Sequence, residues 1–314
     1  MDNISYVIFT VSGPKDFKAN KYVYFAFTIM VYFLIILFNL TLIVTIIRER
    51  ALHEPMYIFL CNLCFNGLYG TAGFYPKFIS DILHETYVIS YTWCFLQAFV
   101  IYTSSMCEYT TLVVMAYDRY VAICKPLEYH SIMTTRAIVK LLVFCWVFPF
   151  IAMSNAIVLA SRLPLCGFHI DRLYCDNWSV VKLSCVPTTT NNIYGFVVIM
   201  LFMAHAVFIV YSYMKLVHAC QKSKENKNKF MQTCMPHLLS LINFTIAVLF
   251  DVMFSRYGSR DFPNSVRDFL QLEILLFPPL FDPVIYGLKL TEIRKRVLQK
   301  HKERKINVSR PKRN

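Results

Sequence analysis

Seven runs of predominantly apolar residues divide the chain, at 22–47, 56–83, 93–120, 137–160, 192–217, 231–254 and 266–288, and the segments between them carry most of the charge. About 20 such residues cross a hydrocarbon core as a helix. The pattern therefore predicts an all-α membrane protein built as a seven-transmembrane helix bundle. The third run ends most abruptly: from Trp93 onward Glu108 is its only charge until Asp118 and Arg119 mark the return to water. Pro55 sits where the second span begins, a favoured first helical position, and Lys125-Pro126 stops the third. Residues 1–21 are too polar for a cleaved leader, so the first span is expected to act as its own insertion signal.

Composition strengthens this picture. The 314 residues are 57% hydrophobic and 16% charged, with mean hydropathy +0.47, well outside the soluble norm of about 25% charged. The net charge of +13 raises a nucleic-acid partner, but its placement points elsewhere: eleven Lys and Arg against Glu292 and Glu303 follow the last span. A basic segment directly after an apolar span reads as a cytoplasmic membrane surface, not a DNA-binding face. Lys215, Lys222, Lys224, Lys227 and Lys229 against Glu225 mark the loop after the fifth span as cytoplasmic too. Residues 1–21 are thus expected outside the cell and 289–314 inside, at the plasma membrane. Thr291 to Lys300, basic with Ile293, Val297 and Leu298 at helical spacing, reads as a short amphipathic eighth helix along the inner leaflet.

Most of the eleven cysteines lie in apolar spans, where a thiol behaves as a small hydrophobe. Cys61 and Cys64 have metal-type spacing but no second pair and no histidine beside them, so they are read as packing residues. Asn3-Ile4-Ser5 is an N-glycosylation acceptor on the outer tail, and Asn177-Trp178-Ser179 a second one in a loop. Asn39, Asn243 and Asn307 are expected out of the modifying enzyme's reach.

The block Met115-Ala116-Tyr117-Asp118-Arg119-Tyr120-Val121-Ala122-Ile123-Cys124-Lys125-Pro126-Leu127 resembles the cytoplasmic end of the third helix in odorant receptors, a branch of the rhodopsin-like G-protein-coupled receptors. Leu52-His53-Glu54-Pro55-Met56-Tyr57 is similar to the loop that enters their second helix. The loop patterns around Cys166, Cys175 and Cys185, and Pro278 to Lys289 with Asp282 in place of the usual Asn, also resemble the family. Ser212-Tyr213 matches its Ser-Tyr pair, although Tyr211 leaves the register open by two residues. Lys229 to Leu238 matches only in part, with Phe230 and Gln232 departing from the pattern. The resemblance covers nearly the whole chain and is closest to the fish-like members.

That resemblance implies a small, water-soluble odorant bound in the outer half of the bundle. It also implies coupling to a stimulatory G protein of the olfactory type, which raises cyclic AMP. Tyr102, Ser105 and Met106 follow one face of the third span, with Val248, Leu249 and Val252 opposite on the sixth; ordinary helix packing is the competing reading for each. Asp118, Arg119, Tyr120, Tyr213 and Tyr286 are implied at the G-protein face, Arg119 being held by Asp118 at rest. Disulfides Cys94 to Cys175 and Cys166 to Cys185 are implied, with Cys94 to Cys185 left open as the other pairing.

Glu108 lies mid-membrane, where a charge costs at least ~2.5 kcal/mol unless compensated. Counting from Pro55 puts Gly67 where rhodopsin-like receptors generally keep an acid for sodium. Two readings stand: an allosteric sodium ion held by Glu108, Asp282 and Asn39, or a protonated Glu108 hydrogen-bonded to Asn39 or Asp282. No other cofactor is expected. Nothing supports catalysis: there is no glycine-rich phosphate loop and no nucleophile–base constellation. An ion-coupled carrier would account for intramembrane acids, but the internal repeats of carriers are missing from the sequence. A rhodopsin-like receptor for a non-olfactory small molecule stays open.

Overall fold

A computed structural model describes residues 7–13, 20–220, 224–257 and 264–289. The amphipathic stretch at 291–300, the Asn3 acceptor and the basic tail from 290 lie outside them. Seven long helices form the body: α1 (Lys21–Arg48), α2 (Pro55–His84), α3 (Tyr91–Cys124), α5 (Thr135–Ser161), α7 (Thr189–Cys220), α8 (Lys224–Tyr257) and α9 (Asn264–Lys289). Two short helices lie in loops, α4 (Tyr129–Ile132) after α3 and α6 (Asn177–Val181) between α5 and α7. Six of the long helices are apolar enough to cross a membrane by length and composition alone. The remaining one, α2, carries Asn62, Asn66, Lys77 and Asp81 along its length.

The helices hold because a bilayer leaves backbone groups no water to bond, so every span must satisfy its own. Side-chain hydroxyls follow the same rule. Those of Thr28, Thr41, Thr45, Thr71, Thr103, Ser105, Thr110, Thr111 and Thr245 each donate to the carbonyl four residues back. The local cues sit at the ends: Pro55 opens α2, Thr134 caps α5 by accepting from the Ala137 amide, and Asp176 caps α6 by accepting from Ser179.

α3 is the axis of the bundle, with 72% of its membrane window buried against 6% for α7. Polar side chains fasten its neighbours to it. Trp146 on α5 donates to Asn62 Oδ1 (2.8 Å), whose Nδ2 donates to Thr111 on α3 (2.9 Å). Asn66 donates to the Ser104 carbonyl and Ser104 to the Asn66 carbonyl, a close approach that Gly70 permits: a Cβ there would meet Ser104 Oγ.

One end of the bundle carries a small sheet that the hydrophobic pattern of the tail does not announce. β1 (Ile8–Val11) runs antiparallel to β2 (Val88–Ser90), at the entry to α3, and parallel to β3 (His169–Ile170), in the loop between α5 and α7. Phe9 from β1 is fully buried beside Cys94, Cys175 and Ile170. Disulfides Cys94–Cys175 and Cys166–Cys185 pin the same loop, each with Cα atoms 5.2 Å apart. The bundle's largest departure from a purely helical protein is thus a disulfide-bound lid at this end.

Candidate ligand pocket, mid-bundle acid pair and Arg119 end

Under the lid lies a cavity of about 130 Å³, walled by α3, α5, α6, α7 and α8. Asp251 on α8 is its chemical centre. Tyr102 on α3 donates to Asp251 Oδ2 at 3.0 Å, Tyr174 of the lid donates to Oδ1 at 3.4 Å, and Arg172 of the lid makes an ion pair with the same carboxylate. Arg172 also donates to Ser255. Its Nε stands 3.8 Å from Asp176 Oδ1, an ion pair too long for a hydrogen bond, and both atoms are buried without a hydrogen-bond partner. Burial disfavours charge on Arg172, but Asp251, then Tyr174 and Asp176, hold the guanidinium protonated well above its ordinary range. Burial, with Asp251 beside it, pushes the Tyr174 phenol up.

Lys182, which donates to the Ser255 carbonyl at 2.5 Å, has its ammonium pulled down by burial. Arg256, near the end of α8, donates to Asn192 at 2.8 Å and lies over the rings of Trp178 (4.2 Å) and Phe196 (4.9 Å). The lid is therefore tied to α8 at several points along the last two turns of that helix. Two further bonds reach other helices: the Cys175 amide donates to Gln97 on α3 and the Leu173 amide to Gln271 on α9.

The residues that sequence placed in a pocket divide by helix face. Tyr102 and Val252 line the cavity. Met106 packs directly beneath it with Ala152 and Met153, while the Ser105 hydroxyl is spent on the Ile101 carbonyl. Val248 packs against the bundle core, and Leu249, one residue further round the helix, is 41% exposed on the outer surface. Leu249 is not among the residues lining this cavity. Asp251 and Arg172 are the residues that sequence reading missed. An acid inside an apolar span is a signal in its own right; for Arg172, in a polar loop, no local pattern marks it.

Deeper in the bundle, Glu108 and Asp282 border a cavity of about 10 Å³ with Asn39, Cys64 and Gly67. That is room for about one water or one small ion. Asn39 Nδ2 donates to the carbonyls of Ile35 (2.8 Å) and Pro279 (2.7 Å), tying α1 to α9. Gly67 leaves the space: a Cβ there would stand 3.3 Å from Pro279 Cβ and 3.5 Å from Asn39 Oδ1. Glu108 Oε1 is buried without a hydrogen-bond partner. Two carboxylates, one of them with the orphaned oxygen, and an amide oxygen make a donor set of the kind hard cations take. Among the described residues no group of three His, Cys, Asp or Glu gathers for a metal of higher demand.

At the opposite end from the lid, Arg119 Nε donates to Asp118 Oδ2 at 2.8 Å, with a second contact from the terminal nitrogen. Asp118 is fully buried and Arg119 is 9% exposed. The Tyr129 hydroxyl, brought in by α4, donates to the other carboxylate oxygen at 2.8 Å. Burial, followed by the Asp118 charge, pushes the Tyr129 phenol up. This third member is absent from the motif block and comes from the short helix after it. Tyr213 and Tyr286 are buried in the core on α7 and α9, and Tyr120 packs half-buried against its edge.

A family model described as "Olfactory receptor" matches residues 27–304. Olfactory receptor 52D1 of Homo sapiens is 34% identical over 266 residues, 83% of this chain and 83% of that protein. Olfactory receptor 52K1 of Homo sapiens is 34% identical over 278 residues, covering 85% of this chain and 86% of the relative. Olfactory receptor 11H6 of Homo sapiens is 33% identical over 301 residues, 93% of this chain and 89% of its own length.

Proposed function

Since this chain belongs to the olfactory receptor family, a family of G-protein-coupled receptors and not of enzymes, we propose that it takes a small, water-soluble odorant into the cavity beneath the lid and answers by activating a stimulatory G protein of the olfactory type, raising cyclic AMP. The observation that carries this reading is the convergence of Tyr102, Arg172 and Tyr174 on Asp251 at the cavity wall. A pocket with an apolar wall and a few convergent polar groups selects by shape plus one or two hydrogen bonds. The lid end faces the outside of the plasma membrane and the Arg119 end the cytoplasm, where the G protein docks.

At rest, Asp118 and Tyr129 keep Arg119 folded against α3. Activation frees Arg119 as α8 moves outward, with Tyr120, Tyr213 and Tyr286 around it. An odorant that reorganises the contacts of Asp251 acts on the same helix that must move. Ser105 and Met106 take part from beneath, by setting the depth of the cavity floor; Val248 acts through packing.

The mid-bundle site holds a sodium ion between Glu108, Asp282 and Asn39, favouring the resting arrangement. The orphaned Glu108 Oε1 is an acceptor that such an ion would satisfy.

A broad panel of water-soluble odorants applied to cells expressing the receptor and reporting cyclic AMP tests the function. A ligand whose response shifts with Tyr102→Phe and vanishes with Arg119→Ala supports it. Ligand-evoked signalling through another G-protein class, with no change in cyclic AMP, would overturn the coupling.

A further inference from the structure

Between α7 and α8, on the outer surface of the bundle, lies a cavity of about 590 Å³ of whose lining the function above uses only Tyr213. Its floor is Ile209, Tyr213 and Leu241, all buried, and its rim is Val210, Met214, Ile242 and Ile246, all roughly half exposed or more. Among the described residues Thr245 is the one hydroxyl-bearing side chain besides Tyr213 along the wall, and its oxygen already donates to the Leu241 carbonyl at 2.7 Å.

The cause of the gap is on its inner side. Tyr109 from α3 is wedged between the two helices, its ring 5.0 Å from that of Phe202 on α7 and 6.2 Å from that of Phe244 on α8, with its hydroxyl donating to the Phe202 carbonyl. Three aromatic rings fill the inside of the splay. The outside is left to whatever surrounds the protein.

We propose that this groove is a binding site for a single acyl chain of a membrane lipid. Every described lining residue falls within Thr189–Lys215 and Leu238–Arg256, segments long and apolar enough to cross a membrane, so a groove on their outer face opens toward lipid. An apolar void has no partners for water, and an empty one forfeits the dispersion contacts of its whole lining. From residue 206 to 214 the groove runs about 12 Å along α7 at ~1.5 Å per residue, a slot that one extended chain can follow. A second copy of the receptor fits poorly. Close helix pairing in a bilayer uses small residues at the surface, and this rim is made of branched and thioether side chains. The inference needs only the membrane placement of these helices, not the odorant pocket or its coupling.

The test is photo-cross-linking of the full-length receptor in phosphatidylcholine nanodiscs, using a lipid with a diazirine deep on one acyl chain. Peptides holding residues 206–214 and 238–246 should be labelled several-fold more than the equally exposed face of α1 around Phe33 and Leu37. Ala206→Trp, which fills the slot, should bring them down to the α1 level and leave α1 labelling unchanged; Thr245→Leu serves as a milder filler if the first variant does not fold. Equal labelling of the groove and α1 would mean ordinary boundary lipid and overturn the site. So would an excess that survives filling, or covalent receptor dimers through Val210→Cys in place of lipid adducts.

Discussion

Arg172, in the lid, and Asp251, on α8, form an ion pair in which each side chain is only 3% exposed. They stand 79 positions apart in sequence, so the pair fastens a loop to the helix that the proposed mechanism sets in motion. Removing one partner of a buried pair leaves the other charge uncompensated. Asp251→Ala should therefore cost about 3–5 kcal/mol of stability, while Arg172→Met with Asp251→Leu should recover most of it. Thermal unfolding of the purified receptor compares the two; a single variant as stable as the double would show the pair to be incidental.

Tyr102 contributes one hydrogen bond to the same ionised carboxylate, worth about 1.5–3 kcal/mol. Tyr102→Phe should shift the odorant dose–response curve by about tenfold or more, 1.4 kcal/mol being a factor of ten, at unchanged surface expression. Leu249→Ala should leave that curve in place, because the side chain looks outward. A larger effect at Leu249 than at Tyr102 would mean that the ligand sits elsewhere.

Tyr129→Phe removes the hydrogen bond to Asp118 Oδ1 without touching Arg119. Basal cyclic AMP should rise several-fold, whereas Arg119→Ala should abolish the ligand-evoked signal with surface expression largely retained. Unchanged basal activity in the Tyr129 variant would assign that tyrosine to packing alone.

The mid-bundle site makes a prediction about salt. The melting temperature of the purified receptor should be higher in sodium chloride than in choline chloride, and Glu108→Gln should remove the difference. If both salts give the same midpoint for the parent protein, the ion reading gives way to a protonated Glu108.

What sequence disclosed and what it hid follow from the physics of the bilayer. Long apolar runs bounded by charge reveal spans, and Asp118 with Arg119 is legible because the partners are adjacent. Rotation about a helix axis is not legible. In a bilayer both the core face and the lipid face are apolar, so span six gives no clean periodicity to separate Leu249, outside, from Val252, inside. Asp251 is the residue that marks its inner face. Arg172 and the strand Ile8–Val11 depend on partners far along the chain, which no local pattern encodes. Tyr129 belongs to a single turn of helix beyond the motif that its hydroxyl completes.

The threading of β1 between β2 and β3 has a consequence for how the receptor is made. Thr10 pairs with Val88 on one side and His169 on the other, so the first strand to leave the ribosome finds its second neighbour only after four membrane helices have been synthesised. At roughly 5–20 residues per second, some 160 residues take on the order of ten to thirty seconds. Through that interval the Phe9 side chain lacks the β3 half of its burial site, a ready binding site for chaperones. The lid closes late, and a nascent receptor arrested before His169 should be retained by the cell's quality control even with its first four spans inserted.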